Sequence, residues 1–316
     1  MKLPLGVDLG STRIRVAALR TDRGAPVIER LGGVDVAGET DAQRVAALRA
    51  LLVDLGVRER RCVIGIGEPD ALLREIVLPP MSRAERGRTA QYEATRYITY
   101  PVERARVALL AIDRRRGAHA LGIVRRLVLA ERVALVRAAG LRVTAVDHDS
   151  LALRRALPAA GAALDVGAAT TRFHVLDGDV PRCAVLDGGG AQFTTAIARS
   201  LSLDTPAAER RKRAHGLGGS ADVELAASVR AIAQAVVAAR ASCSSSIDRF
   251  TLVGNGVRLI GFADQLERAT GCRIAVAAAV APGAGNFPAD VVGSAATDVA
   301  LAIGLALWSC ADAQAA

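Results

Sequence analysis

The sequence predicts an α/β protein built by duplication: two domains of like topology, with a small α+β subdomain inserted in the first. Three observations predict it. A short motif returns half a chain later, the strand and helix periodicities around the two copies follow in the same order, and between them Pro79-Pro80 opens a stretch of different pattern.

The first copy is Gly6-Val7-Asp8-Leu9-Gly10-Ser11-Thr12, and the second is Leu164-Asp165-Val166-Gly167-Ala168-Ala169-Thr170-Thr171. In each, apolar residues lead to an Asp, then a Gly and small residues that include hydroxyls. An alternating run follows, Ile14, Val16 and Ala18 in one and Phe173, Val175 and Leu176 in the other. That is strand, turn, strand. Glycine in the turn lets a bound group approach the main chain, and successive N–H groups there form an anion-binding concavity suited to phosphate. An Asp at the strand end can hold Mg2+ through water, because Mg2+ gives up its hydration shell reluctantly. One such turn is commonplace in hairpins. Two matched copies point to a duplicated architecture, and two facing tips would clamp a nucleotide.

The remaining elements follow in order. Residues Leu3 to Gly32 read as three strands, with Thr21-Asp22-Arg23-Gly24 as the second turn. Thr40 or Asp41 caps a helix from Ala42 to Leu55, where Val45, Leu48, Leu51 and Leu52 fall at helical spacing. Strands at 62–67 and 72–78 complete the first block. After Pro79-Pro80, Ser82 and Glu85 form a capping box for a helix to about Tyr97. Strand-like runs at 105–112 and 126–130 flank a charged turn at 114–117; a helix at 133–139, Gly140 as its C-cap and a strand at 141–146 follow. The second half repeats the first: strands 162–166, 172–176 and 182–186, with Asp177-Gly178 as a hairpin turn, then a Gly-rich turn and a helix 192–200. Helices near 207–214 and 222–241, a strand 250–253, the turn Gly254-Asn255-Gly256, a helix 261–269, a strand 273–277, a Pro/Gly loop and a closing helix complete the chain. The expected domains are residues 1–80 with 144–160, an insert at 81–143, and 161–316.

Composition limits the function. With 51% hydrophobic and 23% charged residues the chain fits a soluble globular protein, and 3% aromatics leave few platforms for stacking on bases. Nucleic acid is therefore not an expected partner. The formal charge of +9 comes almost wholly from arginine, since Lys2 and Lys212 are the only lysines, and the basic clusters are scattered among acids. Cys62, Cys183, Cys243, Cys272 and Cys310 are odd in number and widely spaced, which fits a reduced, cytoplasmic compartment and no cysteine metal site. The first residues lead directly into a strand with no signal-peptide core, and the longest apolar segment, Val299 to Trp308, is too short to span a bilayer. No Gly-x-x-x-x-Gly-Lys run exists for a Walker-type ATPase.

Three strands, a helix and further strands, twice, with Asp-x-Gly tips and a late Gly-x-Gly turn, resemble the actin-like ATPase superfamily, a duplicated ribonuclease-H-like fold. Within it, Leu78-Pro79-Pro80-Met81, Gln91-Tyr92-Glu93-Ala94, Tyr97-Ile98-Thr99-Tyr100-Pro101, Gly189-Gly190-Ala191-Gln192-Phe193-Thr194 and Ile303-Gly304-Leu305-Ala306 resemble the PilM family of type IV pilus assembly proteins. The resemblance implies a cytoplasmic, ATP-binding scaffold, peripheral at the inner membrane. It implies that Asp8, Gly10, Ser11 and Thr12 form a first phosphate loop and Asp165, Gly167, Thr170 and Thr171 a second, with Asp8 and Asp165 holding Mg2+ through water. Gly189 and Gly190 would line the phosphates. Glu209 and Lys212, one helical turn apart, would meet ribose and base, or else form an exposed ion pair. Gly254, Asn255 and Gly256 would admit the adenosine, or else simply turn from strand to helix.

Catalysis is less defined. Asp149 stands where superfamily members carry a Glu or Gln that positions the attacking water, and it serves equally as an N-cap for a helix starting at Ser150. His148 is a second candidate base. Arg13 and Arg15 occupy loop positions that the family usually fills with small residues or Lys, which implies slow turnover or none. The implied partner is the cytoplasmic N-terminal peptide of a PilN-like inner-membrane protein, docked on the insert; pilus motor ATPases and self-association remain open. Other functions on the same fold also stay open. A small-molecule kinase would need a carboxylate base beside a substrate pocket. Cell-division scaffolds of FtsA type end in an amphipathic helix and secretion scaffolds of GspL type continue through a membrane span, patterns not seen up to Ala316. Iron–sulfur activator ATPases are disfavoured because no Cys-x-x-Cys occurs.

Overall fold

The computed structural model of the chain describes residues 2–113, 115–217, 222–243, 246–276 and 289–308. The alternation around the first motif forms β1 (Leu5–Leu9), β2 (Arg13–Asp22) and β3 (Ala25–Asp35), an antiparallel meander whose register sets Asp8 opposite Arg15. Helix α1 (Asp41–Asp54) starts at Thr40, whose hydroxyl accepts from the Gln43 N–H in a capping box, and buries Leu48, Leu51 and Leu52. Strand β4 (Arg61–Ile66) then returns parallel to β1. After it come β5 (Ala71–Val77), α2 (Arg83–Ala94), β6 (Ala105–Asp113), β7 (Ala118–Arg125), α3 (Arg126–Ala138) and β8 (Arg142–His148). The first sheet has the order β3-β2-β1-β4-β8. Helix α4 (Asp149–Ala156) leads into the second half.

There β9 (Ala162–Val166), β10 (Thr171–Val175) and β11 (Arg182–Leu186) form another antiparallel meander, with Asp165 opposite Arg172. Next come α5 (Gly190–Leu201), α6 (Thr205–His215), α7 (Asp222–Ala241), β12 (Arg249–Val253), α8 (Phe262–Thr270), β13 (Arg273–Val276) and α9 (Ala289–Ala306). The second sheet runs β11-β10-β9-β12-β13, and its strand senses copy those of the first. The duplication expected from the repeated motif is therefore a duplication of sheets, and the actin-like fold class holds.

Three expectations need correction. The strand expected to complete the first block does not join the first sheet: β5 pairs antiparallel with β7 in a three-stranded sheet β5-β7-β6. Second, 126–130 is not a strand. The strand is β7, just before it, and Arg126 opens α3, whose Val133, Leu135 and Val136 pack on the core under the first sheet. The apolar run Leu127 to Ala130 belongs to a helical repeat, not to an alternating one. Third, Asp149 does not cap α4. His148 does, its Nδ1 accepting from the Ser150 N–H at 3.2 Å, and Asp149 lies inside the first turn. Arg114, Ala277, Cys310 and the Pro/Gly loop after β13 lie outside the described residues.

Helices α4 and α9 join the halves. Val299, Ala300, Ala302, Ile303 and Ala306 of α9 share one apolar cluster with Leu153 and Ala156 of α4, Ala17 and Leu19 of β2, and Val253 of β12. The contact is close because small residues line it. A Cβ at Gly6 would strike the Ala302 carbonyl, and one at Gly304 the Ala152 carbonyl. Both motif turns thereby lie near one stretch of α9: Asp298 pairs with Arg15, opposite Asp8, and the Thr297 carbonyl accepts from the Gly254 N–H, beside Asp165.

Candidate functional site

At the first tip, Asp8 is the penultimate residue of β1, and after Leu9 the chain turns through Gly10 and Ser11, which are half-buried and exposed, to Thr12. Arginines fix the backbone of this turn. Arg132 of α3 donates to the Leu9 carbonyl at 3.1 Å, and Arg44 of α1 to the Gly10 carbonyl at 3.1 Å. The Thr12 carbonyl accepts from the Val36 N–H at 2.8 Å. Cross-strand from Asp8, Arg15 Nη1 lies 3.0 Å from the Asp8 carboxylate. On its other side Arg15 Nε donates to Asp298 of α9 at 2.6 Å, and Arg13 Nε is 3.0 Å from the same carboxylate. Burial pushes the Asp8 carboxyl above its ordinary range, with Arg15 pulling the other way.

The second tip is built alike, with glycines where backbones meet. The Gly167 carbonyl accepts from the Gly190 N–H at 2.9 Å, and the Ala168 carbonyl from the Ala191 N–H at 2.9 Å, which sews the tip to the start of α5. A Cβ at Gly189 would lie 2.7 Å from the Gly167 carbonyl oxygen. Gly254 has φ of +88°, and its Cβ would lie 2.5 Å from Asp165 Oδ1. Gly256 fits against Val166 in the same way. The Gly254 N–H donates to the Thr297 carbonyl at 2.9 Å, so α9 reaches this tip too. Thr171 Oγ1 donates to the Gly188 carbonyl at 2.9 Å, Thr170 receives the Gly167 N–H on its carbonyl at 3.0 Å, and Asn255 is exposed on the turn.

Glu209 and Lys212 face the same helix start. Lys212 Nζ lies 2.6 Å from Glu209 Oε2 and donates to the Gly190 carbonyl at 3.0 Å and to Thr194 Oγ1 at 2.9 Å. The two thus form a partly buried ion pair, turned toward the Gly189-Gly190 corner. Opposed by its partial burial, contact with Lys212 and Thr194 still holds the Glu209 carboxyl below its ordinary value.

Between the tips sits a buried polar floor. Asp149 is 6% exposed, and its Oδ1 has no hydrogen-bond partner among the described residues. Gly65 and Gly67 leave it room, since a Cβ on either would come within 2.5 Å of a carboxylate oxygen. Burial pushes the Asp149 carboxyl up to about 6, against the pull of Arg172 and His148. His148 Nε2 pairs with Glu68 at 3.0 Å, and Arg74 with the other oxygen at 3.2 Å. Burial opposes charge on both partners, yet the pairing holds Glu68 down to about 2 and His148 up. Farther in, Ser150 Oγ lies 2.8 Å from His174 Nδ1, and burial pushes His174 down to about 3, which keeps it neutral.

Arg172 crosses between the halves. Its Nε donates to the Glu68 carbonyl at 2.6 Å, and its Nη1 lies 3.6 Å from Asp165, whose carboxyl burial raises. The residues at the tips do not fit a hydrated divalent ion. Asp8 and Asp165 each already face a guanidinium, and among the described residues no three His, Cys, Asp or Glu side chains gather in a way that could hold a metal. A cation added beside them would meet like charge at roughly 4 Å, which costs about 4 kcal/mol per unit charge at an effective dielectric of about 20.

The sequence model of the family described as type IV pilus assembly protein PilM matches residues 6–310. The chain belongs to the PilM family. A solved structure entitled PilM-PilN type IV pilus biogenesis complex is 25% identical, with a TM-score of 0.84 over 96% of this chain and 97% of that one. Two others share the fold at lower identity. The ethanolamine utilization protein EutJ from Carboxydothermus hydrogenoformans is 17% identical, TM-score 0.59, over 97% of this chain and 89% of its own. The (R)-2-hydroxyglutaryl-CoA dehydratase component A of Acidaminococcus fermentans is 12% identical, TM-score 0.54, over 100% and 99%. A comparison with curated protein sequences gives no match. For this PilM-family chain, sequence reasoning found the glycines and tip aspartates but missed the partners around them: Asp298, Glu68 and Arg172. The signal for Arg172 was present, since an Arg stands at the same offset from the Asp in both copies.

Proposed function

We propose that this chain is a nucleotide-binding scaffold of type IV pilus assembly that docks a short N-terminal peptide of a PilN-like membrane protein. The observation that carries this reading is the likeness to the PilM-PilN complex along nearly the whole of both chains, which leaves uncovered a share smaller than the β5-β7-β6 insert. In this reading ATP lies between the tips. The N–H groups of Gly10, Ser11 and Thr12 and of Thr170 and Thr171 meet its phosphates, Gly167 turns the chain between them through its own bond to the Thr170 carbonyl, Gly189 and Gly190 keep side chains out of their path, and Glu209, Lys212 and the turn Gly254-Asn255-Gly256 bound the ribose and base. Asp149, with one oxygen unpartnered, orients a water toward the terminal phosphate. A carboxyl held near 6 is a serviceable proton acceptor at neutral pH. Mg2+ is left out of this reading because of the arginines at both aspartates.

The docking site for the peptide is the small sheet with α2. Location at the cytoplasmic face of the inner membrane follows from that partner; among the described residues no helix is long and apolar enough to cross a membrane. The test is a titration of a synthetic PilN-type N-terminal peptide into the full chain, with and without ATP. Saturable binding by the chain is the expected outcome, and a peptide that fails to bind under both conditions removes the partner from the reading.

A further inference from the structure

We propose that Arg15 and Arg172 stand in for the divalent cation at the two tips, so that the cleft holds a nucleoside polyphosphate without metal. This rests on the nucleotide reading above and sharpens its chemistry.

The two arginines are equivalent by topology. Each lies on the second strand of its sheet, directly opposite the tip aspartate in the antiparallel register: Asp8 against Arg15 and Asp165 against Arg172. Each is also anchored away from its aspartate, by a group outside its own sheet. Arg15 is gripped by Asp298 of α9, at 2.6 Å from Nε and 2.5 Å from Nη2. Arg172 donates to the Glu68 carbonyl, in the segment between β4 and β5. Anchored guanidiniums lose little freedom on meeting a phosphate, and their planar fork matches phosphate oxygens through two hydrogen bonds. The two aspartates cannot recruit a hydrated cation while the arginines neutralise them.

The contact at the second tip is the looser of the two, 3.6 Å against 3.0 Å. An incoming phosphate therefore displaces the Asp165 carboxylate from Arg172 more readily than Asp8 from Arg15. Lys212, paired with Glu209 at 2.6 Å, stands as a third cation beside the Gly189-Gly190 corner. All three positive groups belong to the chain and arrive with the fold.

The experiment is calorimetric titration of ATP into the full chain, stripped of carried-over nucleotide, in excess EDTA and in excess Mg2+, repeated with Arg172→Gln and Arg172→Lys. The wild-type dissociation constant is expected to agree within about threefold between the two conditions. Arg172→Gln is expected to weaken binding in EDTA by about tenfold or more, the loss of one charge-assisted contact. Mg2+ should then restore much of it, because Asp165 is released to face a cation. Arg172→Lys keeps the charge but loses the fork, so it should bind in EDTA more weakly than wild type and more tightly than the Gln variant; if the Gln variant fails to fold, Lys binding equal to wild type removes Arg172 from the role. Wild-type binding that collapses in EDTA and is recovered with Mg2+ overturns the proposal and leaves the nucleotide reading intact. Binding of ATP in neither condition overturns both. Unchanged binding by Arg172→Gln in EDTA removes Arg172 from the role.

Discussion

Asp149 shows how far one residue's surroundings set its chemistry. Its folded value of about 6 lies above the ordinary 3.8, because burial disfavours its charge. The native state therefore binds this proton more tightly than the unfolded chain does. Stability from this group is full below about pH 4 and falls as pH rises toward 6, reaching a penalty of about 3 kcal/mol at neutral pH. Asp149→Asn should remove that penalty: in urea unfolding the variant should gain on wild type between pH 4 and 6 and hold the gain above it. A difference that does not change with pH would mean that the carboxyl carries no such burden. The sequence placed Asp149 at the end of a strand entering a helix, and of its two readings the N-cap fails, because His148, a poor cap by type, reaches the Ser150 N–H first. It also could not show that Gly65 and Gly67 exist to house this carboxylate, since that depends on a helix start meeting a strand end from far along the chain.

Among elements, α9 has the most demanding place. It lies against β1, β2, β4 and α4, and two glycines let the backbones touch, Gly6 from β1 and Gly304 from α9 itself. A methyl group at Gly304 meets the Ala152 carbonyl, which is main chain and cannot rotate aside. Gly304→Ala should therefore destabilise by at least about 1–3 kcal/mol, the usual range for overpacking, despite the better helix propensity of Ala. Chemical denaturation measures it, and a loss under about 0.5 kcal/mol, typical of surface changes, would show that the helix shifts freely over α4. The elements themselves were largely readable. Thr40 and Ser82 cap their helices as their side chains suggest, and alternation located the strands of both meanders. What periodicity does not carry is partnership: β5 alternates like any half-buried strand, and nothing local says that it pairs with β7 instead of joining the first sheet. The misreading of α3 has another origin, because its first residues are apolar enough for either period.

For the whole molecule, duplication is what makes the two tips legible in the sequence. A turn of Asp, Gly and small residues is uninformative once; repeated at the same place in two sheets of like order, it defines two tips that reach neighbouring residues of α9, Asp298 and Thr297. The arginines at Asp8 and Asp165 follow the same symmetry, which is why both halves, and not one, set the electrostatics of the site. If a nucleotide is clamped from both sides, its binding energy stabilises the two sheets together. Saturation at 100 times the dissociation constant adds about 2.7 kcal/mol to the folded state, and that gain appears in every opening that separates the tips. Hydrogen exchange with and without ATP should then show slowing at residues 10–12 and at 167–171 in the same titration, with equal midpoints. Slowing at 167–171 alone would describe a ligand seated on the second sheet only. In that case the first tip, bound by Arg44 and Arg132 through its carbonyls, would be a structural turn, and the symmetry of the fold would exceed that of its function.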